Sequence, residues 1–325
     1  MDNHNLLIVK NLKKYFPLKR GFLRRTKDYI KAVNGVNLVV KKGETLGLVG
    51  ESGCGKTTLG YCILRLEEPT EGKVYFENQD ILLYDRKKMR RLRQDMQIIF
   101  QDPYSSLNPR KKVGQIIGEP FAIHGILSRR DHQEKVKHLM HVVGLLPEHM
   151  NRYPHEFSGG QRQRICVARA LALNPKLVIA DEPVSALDVS IQAQILNLFV
   201  QLQRQFDLTY IFISHDLSVV RHISDRVAVM YLGRIVEIAT KHLLYNHPFH
   251  PYTEALMSAT PIASPQRKKE RILLEGDVPS PINIPPGCSF HPRCKYHQDV
   301  CTRIVPAMEE IEQGHWVACY FPRKE

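Results

Sequence analysis

Short apolar runs bounded by polar or turn residues recur through the first 240 residues and predict the strands of a buried sheet. The predicted strands cover residues 45–49, 74–77, 96–100, 177–180, 209–214 and 227–231. The stretch 227–239 predicts two strands joined by a tight turn at Leu232 and Gly233.

Apolar residues at helical spacing follow the first of these strands. Leu59, Cys62, Ile63 and Leu66 lie at positions 0, 3, 4 and 7, which is one face of a helix. The strand pattern fades from about residue 102 to 176, where segments 131–144 and 161–173 predict helices. We therefore expect an α/β fold with a mixed β core and an inserted helical subdomain.

The composition changes after residue 260. Prolines at 261, 265, 279, 281, 285 and 286 predict an extended stretch that cannot continue a helix. A small module with four cysteines follows. The predicted organisation is one domain over residues 1–260 and a proline-rich extension with a cysteine-containing module over residues 261–325.

The chain has 325 residues and carries 46 Lys and Arg against 33 Asp and Glu, a formal net charge of +13. Its 43% hydrophobic and 24% charged residues predict a folded protein rather than a disordered one. We find neither a run of roughly 18 apolar residues that could span a membrane nor the pattern of a signal peptide. The sequence therefore predicts a protein of a reducing, cytoplasmic compartment, and its charge favours nucleic acid, nucleotide phosphates or an acidic membrane surface as partner.

A glycine-rich loop stands between a predicted strand and a predicted helix, which is the context of a P-loop. Its residues are Gly50, Glu51, Ser52, Gly53, Cys54, Gly55, Lys56 and Thr57, followed by Thr58. The glycines let backbone N–H groups surround phosphate, and the helix N-terminus favours the anion. Lys56 is predicted to reach the β- and γ-phosphates and the Thr57 hydroxyl to bind Mg²⁺.

Two carboxylates follow the apolar run 177–180 in the manner of a Walker B strand. Asp181, at the exposed end of a buried strand, is the predicted Mg²⁺ ligand. Glu182 is expected to point the other way, since strand side chains alternate, and to activate an attacking water.

A second glycine pair opens the predicted helix 161–173 at Ser158, Gly159, Gly160 and Gln161. By itself this is a helix N-cap with exposed N–H groups. In order with the P-loop and the Asp-Glu pair, however, it resembles the signature motif of the ATP-binding subunits of ABC transporters, over roughly residues 6–260. Phe157 departs from the commoner leucine of that family by a swap of similar size.

The resemblance implies roles for further residues. Gln101 matches the Q-loop residue that senses Mg²⁺ and nucleotide, Asp188 belongs to the D-loop, and His215 matches the switch histidine at the γ-phosphate. Phe16 aligns with the aromatic residue that stacks on adenine, with Tyr15 as an alternative. The family further implies ATP bound between two cassettes, so that the active unit is a dimer.

The C-terminal stretches HPFHPYTEALMSATP and GDVPSPINIPPGCSFHPRC resemble those of peptide-importer ATPases. Among these the similarity favours dipeptide-permease subunits, with oligopeptide or other small-solute importers of the same subfamily as the alternative. The implied partners are a second, different ATPase subunit, two membrane permease subunits and a peptide-binding protein, at the cytoplasmic face of the inner membrane. The resemblance also suggests that residues 104–117 receive a coupling helix of the permease.

The basic clusters at residues 10–31 and 86–93 keep open a second class, an ABC ATPase that acts on nucleic acid. Only one cassette is present, and the stretch between Gln101 and Ser158 is too short for a long coiled coil. Both features favour the importer, and we expect no nucleic-acid partner.

Four cysteines lie close together near the end of the chain, at Cys288, Cys294, Cys301 and Cys319. Four thiolates can hold zinc or an iron–sulfur cluster, and the chemistry alone leaves both open. The peptide-importer resemblance implies [4Fe–4S]. Cys54, Cys62 and Cys166 are interpreted as small buried fillers.

Overall fold

The computed structural model describes residues 4–18, 28–125, 129–259, 272 and 274–323. The chain divides into two compact units. Unit 1 comprises Met1–Leu83 and Ser214–Glu325, and unit 2 comprises Tyr84–Ile213. Within the described ranges, every helix is too short or too polar to traverse a lipid bilayer.

The described residues form twelve strands and eleven α-helices. The strands are β1 (Asn5–Leu18), β2 (Asp28–Lys41), β3 (Thr45–Val49), β4 (Glu71–Phe76), β5 (Gln79–Asp80), β6 (Met96–Ile99), β7 (Leu177–Asp181), β8 (Thr209–Ser214), β9 (Arg226–Tyr231), β10 (Arg234–Thr240), β11 (Glu309–Glu312) and β12 (His315–Val317). The helices are α1 (Lys56–Ile63), α2 (Arg86–Leu92), α3 (Pro103–Ser106), α4 (Val113–His124), α5 (Arg129–Val142), α6 (Gly159–Leu171), α7 (Val189–Phe206), α8 (Leu217–Ile223), α9 (Lys241–Asn246), α10 (Pro251–Ser258) and α11 (Asp299–Arg303).

Unit 1 contains two groups of paired strands. Strands β2, β1, β4 and β5 form an antiparallel sheet in that order. In the second group β3 runs parallel to β9, whereas β9 with β10, β10 with β12, and β12 with β11 are antiparallel. This mixture of directions confirms the predicted mixed β core.

Unit 2 builds on three parallel strands, β6, β7 and β8, paired in that order. All five residues of β7 and all six of β8 are buried, as expected for the apolar runs that predicted them. Helices α3 to α6 lie in the chain between β6 and β7, where the sequence predicts a helical subdomain. The predicted helices 131–144 and 161–173 correspond to α5 and α6, each beginning two residues earlier.

The C-terminal segment (residues 274–323) adds strands to unit 1. Strand β12 pairs with β10 through Glu237 opposite Val317 and Ile238 opposite Trp316, and β11 pairs with β12. The segment therefore continues the strand pairing of unit 1 rather than standing apart from it. The predicted domain boundary at residues 260–261 lies outside the described residues.

The elements not predicted from the sequence are β1, β2, β5, the helices α2 to α4 and α7 to α11, and the two C-terminal strands. The apolar alternation of β1 and β2 is interrupted, and their pairing contains register shifts between Val9 and Leu12 and between Lys14 and Tyr15. Such irregularities break the period-two pattern on which a sequence prediction depends.

Candidate functional site

The phosphate loop joins β3 to α1 in unit 1 and has backbone geometry that only glycine adopts easily. Gly50 has φ 154° and Gly55 has φ 107°. A Cβ on Gly50 would lie 2.2 Å from the carbonyl oxygen of Met230, and one on Gly55 would lie 2.0 Å from that of Ala32. The glycines are therefore required by close approach to β9 and β2 as well as by φ.

Lys56 begins α1 with its side chain buried inside the loop. Its Nζ donates to the carbonyl oxygen of Gly50 at 2.8 Å and to that of Glu51 at 3.0 Å. Ser52 and Gly53, at the crest of the loop, are exposed, whereas Thr57 and Thr58 are half-buried. The loop thus holds a buried cation beneath an exposed glycine-rich crest, an arrangement that fits a phosphate group.

Cys54 is one of the predicted fillers and is buried in the loop. Burial raises the pKa of its thiol, despite the charge of Lys56, which keeps the sulfur protonated at neutral pH. Its carbonyl oxygen accepts a hydrogen bond from Gly233 N at 2.9 Å. The β9–β10 turn therefore supports the phosphate loop through this hydrogen bond.

The predicted Walker B residues lie at the end of β7 in unit 2. Asp181 is the last residue of the strand and is 2% exposed. Glu182 lies beyond the strand end with φ 45°, in the left-handed region that non-glycine residues rarely adopt. The backbone turn, and not the expected strand alternation, therefore sets the direction of Glu182.

The structure brings two predicted residues of unit 2 together. The Gln101 amide Nε2 donates to Glu182 Oε2 at 2.9 Å. Glu182 is further fixed by its own backbone, since its N–H donates to the carbonyl oxygen of Ile213. Hence Gln101, predicted as the residue that senses nucleotide, contacts the predicted catalytic carboxylate directly.

The signature residues form a helix N-cap. Ser158 Oγ accepts from Gln161 N at 3.3 Å, and Gln161 Oε1 accepts from Ser158 N at 3.0 Å, which is a capping box. A Cβ on Gly160 would lie 2.5 Å from Ile191 Cγ2 on α7, and one on Gly159 would lie 3.3 Å from Leu187 Cδ2. The glycines thus permit close packing of α6 on α7.

The remaining predicted residues lie at strand and helix ends. Asp188 is the N-cap residue of α7 and is exposed, and His215 follows β8 directly and is also exposed. On β1, Phe16 is half-buried beneath Lys14 Nζ, 4.8 Å from the ring centre. Tyr15 OH donates to Asn34 Oδ1 at 2.7 Å, and the Tyr15 hydroxyl therefore already has a hydrogen-bond partner.

The four C-terminal cysteines line one small pocket of unit 1, together with His250, His291 and His297. The pocket residues are Cys288, Cys294, Cys301 and Cys319 with their neighbours. All four are free thiols. Burial raises the pKa of Cys288, of Cys294 and, to about 12, of Cys319, so these sulfurs stay protonated at neutral pH.

The predicted iron–sulfur cluster at these cysteines is wrong, and so is its zinc alternative. Among the described residues, no group of three or more His, Cys, Asp or Glu has the arrangement of a metal site. The relatives reported below are also named only as ATP-binding proteins.

Two residues near the phosphate loop were missed by the sequence reasoning. Tyr252 OH accepts from Glu51 N at 2.9 Å. Arg293 pairs with the Glu51 carboxylate through Nη1 at 2.9 Å and Nη2 at 3.2 Å. Neither belongs to a phosphate-binding motif, and only the fold brings them near the loop.

Two family models match the chain. One, described as ABC transporter, matches residues 33–185, and one, described as the C-terminal region of oligopeptide/dipeptide transporters, matches residues 236–301. The matched ranges include the phosphate loop, the signature residues, the Asp-Glu pair and Arg293.

The curated relatives are similar over nearly the whole chain. An oligopeptide transport ATP-binding protein, AppF of Bacillus subtilis, is 54% identical and aligns over 98% of both chains. A dipeptide transport ATP-binding protein, DppF of Escherichia coli, is 53% identical over 97% of this chain and 94% of its own. OppF of Salmonella typhimurium, an oligopeptide transport ATP-binding protein, is 53% identical over 97% and 95%.

Solved structures match about three quarters of the chain. A dimeric ATP-binding cassette in a post-hydrolysis state with ADP and Pi has a TM-score of 0.64 at 29% identity, over 72% of this chain and 98% of that one. The cbiO1 protein of Clostridium perfringens, part of an ABC transporter complex, has a TM-score of 0.64 at 29% identity, over 74% and 91%.

Proposed function

The chain belongs to the ABC transporter ATP-binding proteins of the oligopeptide/dipeptide importer type, and from this membership we propose that it binds and hydrolyses ATP to power the import of small peptides. The observation that carries the proposal is the phosphate loop, whose glycine geometry and buried Lys56 suit a bound phosphate. Sequence identity of 54% and 53% to peptide-transport ATP-binding proteins, over nearly the full chain, supports the same conclusion.

ATP is the substrate, and the phosphate loop is its proposed binding element. The backbone N–H groups of the loop and the Lys56 ammonium bind the β- and γ-phosphates. Thr57, Gln101 and Asp181 are the proposed ligands of Mg²⁺, which when bound neutralises charge on the phosphates. Oxygen atoms are the ligands that this ion prefers, and each of these residues carries one.

Glu182 is the proposed general base for the attacking water. The contact with Gln101 Nε2 holds one carboxylate oxygen in a defined position, which supports this role because a base must be oriented as well as ionised. His215 is proposed to contact the γ-phosphate, and Phe16 to stack on adenine. Ser158, Gly159, Gly160 and Gln161, with the Asp188 loop, are proposed to act on the nucleotide bound by a partner cassette.

Membership of this class of transporter implies membrane permease subunits and a substrate-binding protein as partners. We further propose that the partner cassette is a different chain, so that the ATPase is a heterodimer at the cytoplasmic face of the membrane. Tyr104 of α3 is 64% exposed, with the Arg162 guanidinium 3.8 Å from its ring centre. An exposed aromatic side chain stiffened in this way suits the proposed contact with a permease helix.

The substrate is proposed as a small peptide without a narrower choice of length. The relatives named for oligopeptide transport and for dipeptide transport are 54% and 53% identical to this chain, and these values do not separate the two. An uptake assay with the assembled transporter and labelled di-, tri- and pentapeptides distinguishes dipeptide transport from oligopeptide transport. Preferential uptake of dipeptides would support the narrower prediction.

The catalytic role is tested with Glu182→Gln in the assembled transporter. We expect ATP binding to persist while ATP turnover falls by about a hundredfold or more, because the amide cannot accept the water proton. Glu148→Gln, which alters an exposed carboxylate of the same unit, serves as the matched control and should leave turnover unchanged. Near-normal turnover in Glu182→Gln would remove Glu182 from its proposed role.

The transport role is tested by purification from detergent-solubilised membranes followed by mass spectrometry. Recovery of two permease subunits and a second ATP-binding chain is the expected result. Recovery without any permease, together with ATPase activity that DNA or RNA stimulates in a salt-sensitive way, would favour the nucleic-acid class instead.

A further inference from the structure

The second residue of the phosphate loop is an acid in a place where anions bind. Glu51 is held at both its main chain and its side chain, by Tyr252 OH and by Arg293. An uncompensated carboxylate at this position would repel ATP phosphates, because like charges repel one another at short distance. The loop therefore needs a partner that neutralises Glu51 and holds it.

Arg293 provides this partner in a well-formed ion pair. Both terminal nitrogens of the guanidinium reach the carboxylate, with Nη1 to Oε2 at 2.9 Å and Nη2 to Oε1 at 3.2 Å. The side chains of Arg293 and Glu51 are 8% and 25% exposed. A bidentate pair at this burial is weakly screened by salt and has a defined direction.

The position of Arg293 is set by a buried aromatic cluster. Phe290, which precedes the turn His291–Arg293, is 1% exposed. Its ring lies 5.3 Å from that of Tyr231 and 5.4 Å from that of Tyr252. Tyr252 also contacts the loop, so the cluster holds both of the groups that act on Glu51.

The same loop is supported on its other side by β9 and the turn after it. Met230, whose carbonyl oxygen leaves no room for a Cβ on Gly50, immediately precedes Tyr231 of the cluster. Gly233 N donates to Cys54 O. The loop is therefore clamped between the β9–β10 hairpin and residues of α10 and the C-terminal segment.

We propose that Arg293 is a positioning residue for ATP binding, through which the C-terminal segment neutralises and orients Glu51 of the phosphate loop. The inference rests on the proposed function, since it assumes that this loop binds ATP. It assigns to the C-terminal segment a direct effect on nucleotide affinity. Arg293 itself does not touch the nucleotide in this proposal.

The test is a double-mutant cycle in the full-length chain, read as the Kd for Mg-ATP. The charge of the pair is 0 in the wild type, −1 in Arg293→Gln, +1 in Glu51→Gln and 0 in the double variant. Affinity should follow this charge. We expect about tenfold weaker binding in Arg293→Gln, tighter binding in Glu51→Gln and a return to within about twofold of wild type in the double variant.

Two further variants separate positioning from folding. Arg303→Gln removes an exposed charge from the same segment and should not change the Kd. Arg293→Lys retains the charge without the bidentate geometry and should recover only part of the affinity. In the assembled transporter, Arg293→Gln should raise KM for ATP while kcat at saturating ATP changes by less than about twofold.

Each outcome decides between the alternatives. Binding by Arg293→Gln within about twofold of wild type would overturn the proposal, as would a double variant as weak as Arg293→Gln. The latter result would show that loss of Arg293 only disturbs folding. Lys56→Ala tests the proposed function separately, because ATP binding that survives this change would refute the phosphate-loop assignment itself, whatever Arg293 does.

Discussion

Glu237 on β10 is a fully buried carboxylate that ties together three parts of unit 1. It accepts hydrogen bonds from Phe249 N at 2.7 Å, from His250 N at 3.0 Å and from His315 Nε2 at 2.6 Å. His315 lies on β12, so the carboxylate fastens the C-terminal segment to β10. Its replacement should therefore release β12.

The loss in the free energy of unfolding comes from the buried hydrogen-bond donors that lose Glu237 as their acceptor. A buried donor without a partner costs about 1–3 kcal/mol. Glu237→Gln retains one acceptor oxygen and turns a donor towards its neighbours, so we expect a loss of about 1–3 kcal/mol in the free energy of unfolding. Glu237→Leu leaves all three donors unpaired, for an expected loss of about 3–9 kcal/mol, a large part of a typical domain's stability.

The chain offers a local probe for this change. Its single tryptophan is Trp316, which lies next to His315 on β12, pairs with Ile238 and is 39% exposed. In urea unfolding, Trp316 fluorescence reports β12, whereas far-UV circular dichroism reports all helices and strands. In Glu237→Leu the fluorescence midpoint should fall below the dichroism midpoint, because β12 detaches first.

The control is Glu309→Gln, which changes an exposed carboxylate on the neighbouring strand β11 and should leave both midpoints unchanged. A free energy of unfolding for Glu237→Leu within about 1 kcal/mol of wild type would refute the reasoning. Two coincident midpoints that shift together would instead show that β12 unfolds only with the rest of unit 1.

Three further changes test other parts of the structure. Burial lowers the pKa of His250 to about 4, so that near pH 5 the unfolded chain binds a proton that the folded chain does not. The free energy of unfolding should therefore fall by about 2 kcal/mol from pH 7.5 to pH 5. In His250→Asn, the urea midpoint should change less over this pH range. Gly55→Ala places a Cβ 2.0 Å from Ala32 O and should reduce Mg-ATP binding at least about tenfold in a binding titration, and unaltered affinity would contradict the close approach. Gly160→Ala meets Ile191 Cγ2 at 2.5 Å and should lower transporter ATPase activity, and added Ile191→Ala should restore it if packing is the cause.

The elements that the sequence predicted well are those encoded by neighbouring residues. Mostly apolar runs marked β3, β7 and β8, and helical spacing marked α5 and α6, because each pattern is formed by neighbouring residues. Strands β1 and β2 were not predicted because their pairing contains bulges. Strands β11 and β12 were not predicted because such short strands are stabilised by the sheet they join. The positive φ of Glu182 was not predicted either, since it leaves no mark in residue type.

The motifs and their order were readable from the sequence alone. A phosphate loop, a signature helix start and an Asp-Glu pair are contiguous stretches, and the first two depend on backbone geometry that glycine permits. That order sufficed to indicate the family, which the comparisons confirm. The same approach failed at the four cysteines, where residue type and resemblance suggested a cluster but the described residues contain no group arranged as a metal site.

Tertiary structure alone decided what surrounds the phosphate loop. Arg293 meets Glu51 across 242 residues of sequence, and His315 meets Glu237 across 78. No local pattern predicts such contacts, because they depend on where the chain returns after α10 and on the pairing of β12 with β10. The sequence thus determined that the chain carries a nucleotide-binding loop, and the return of its C-terminal segment determined which charges hold that loop.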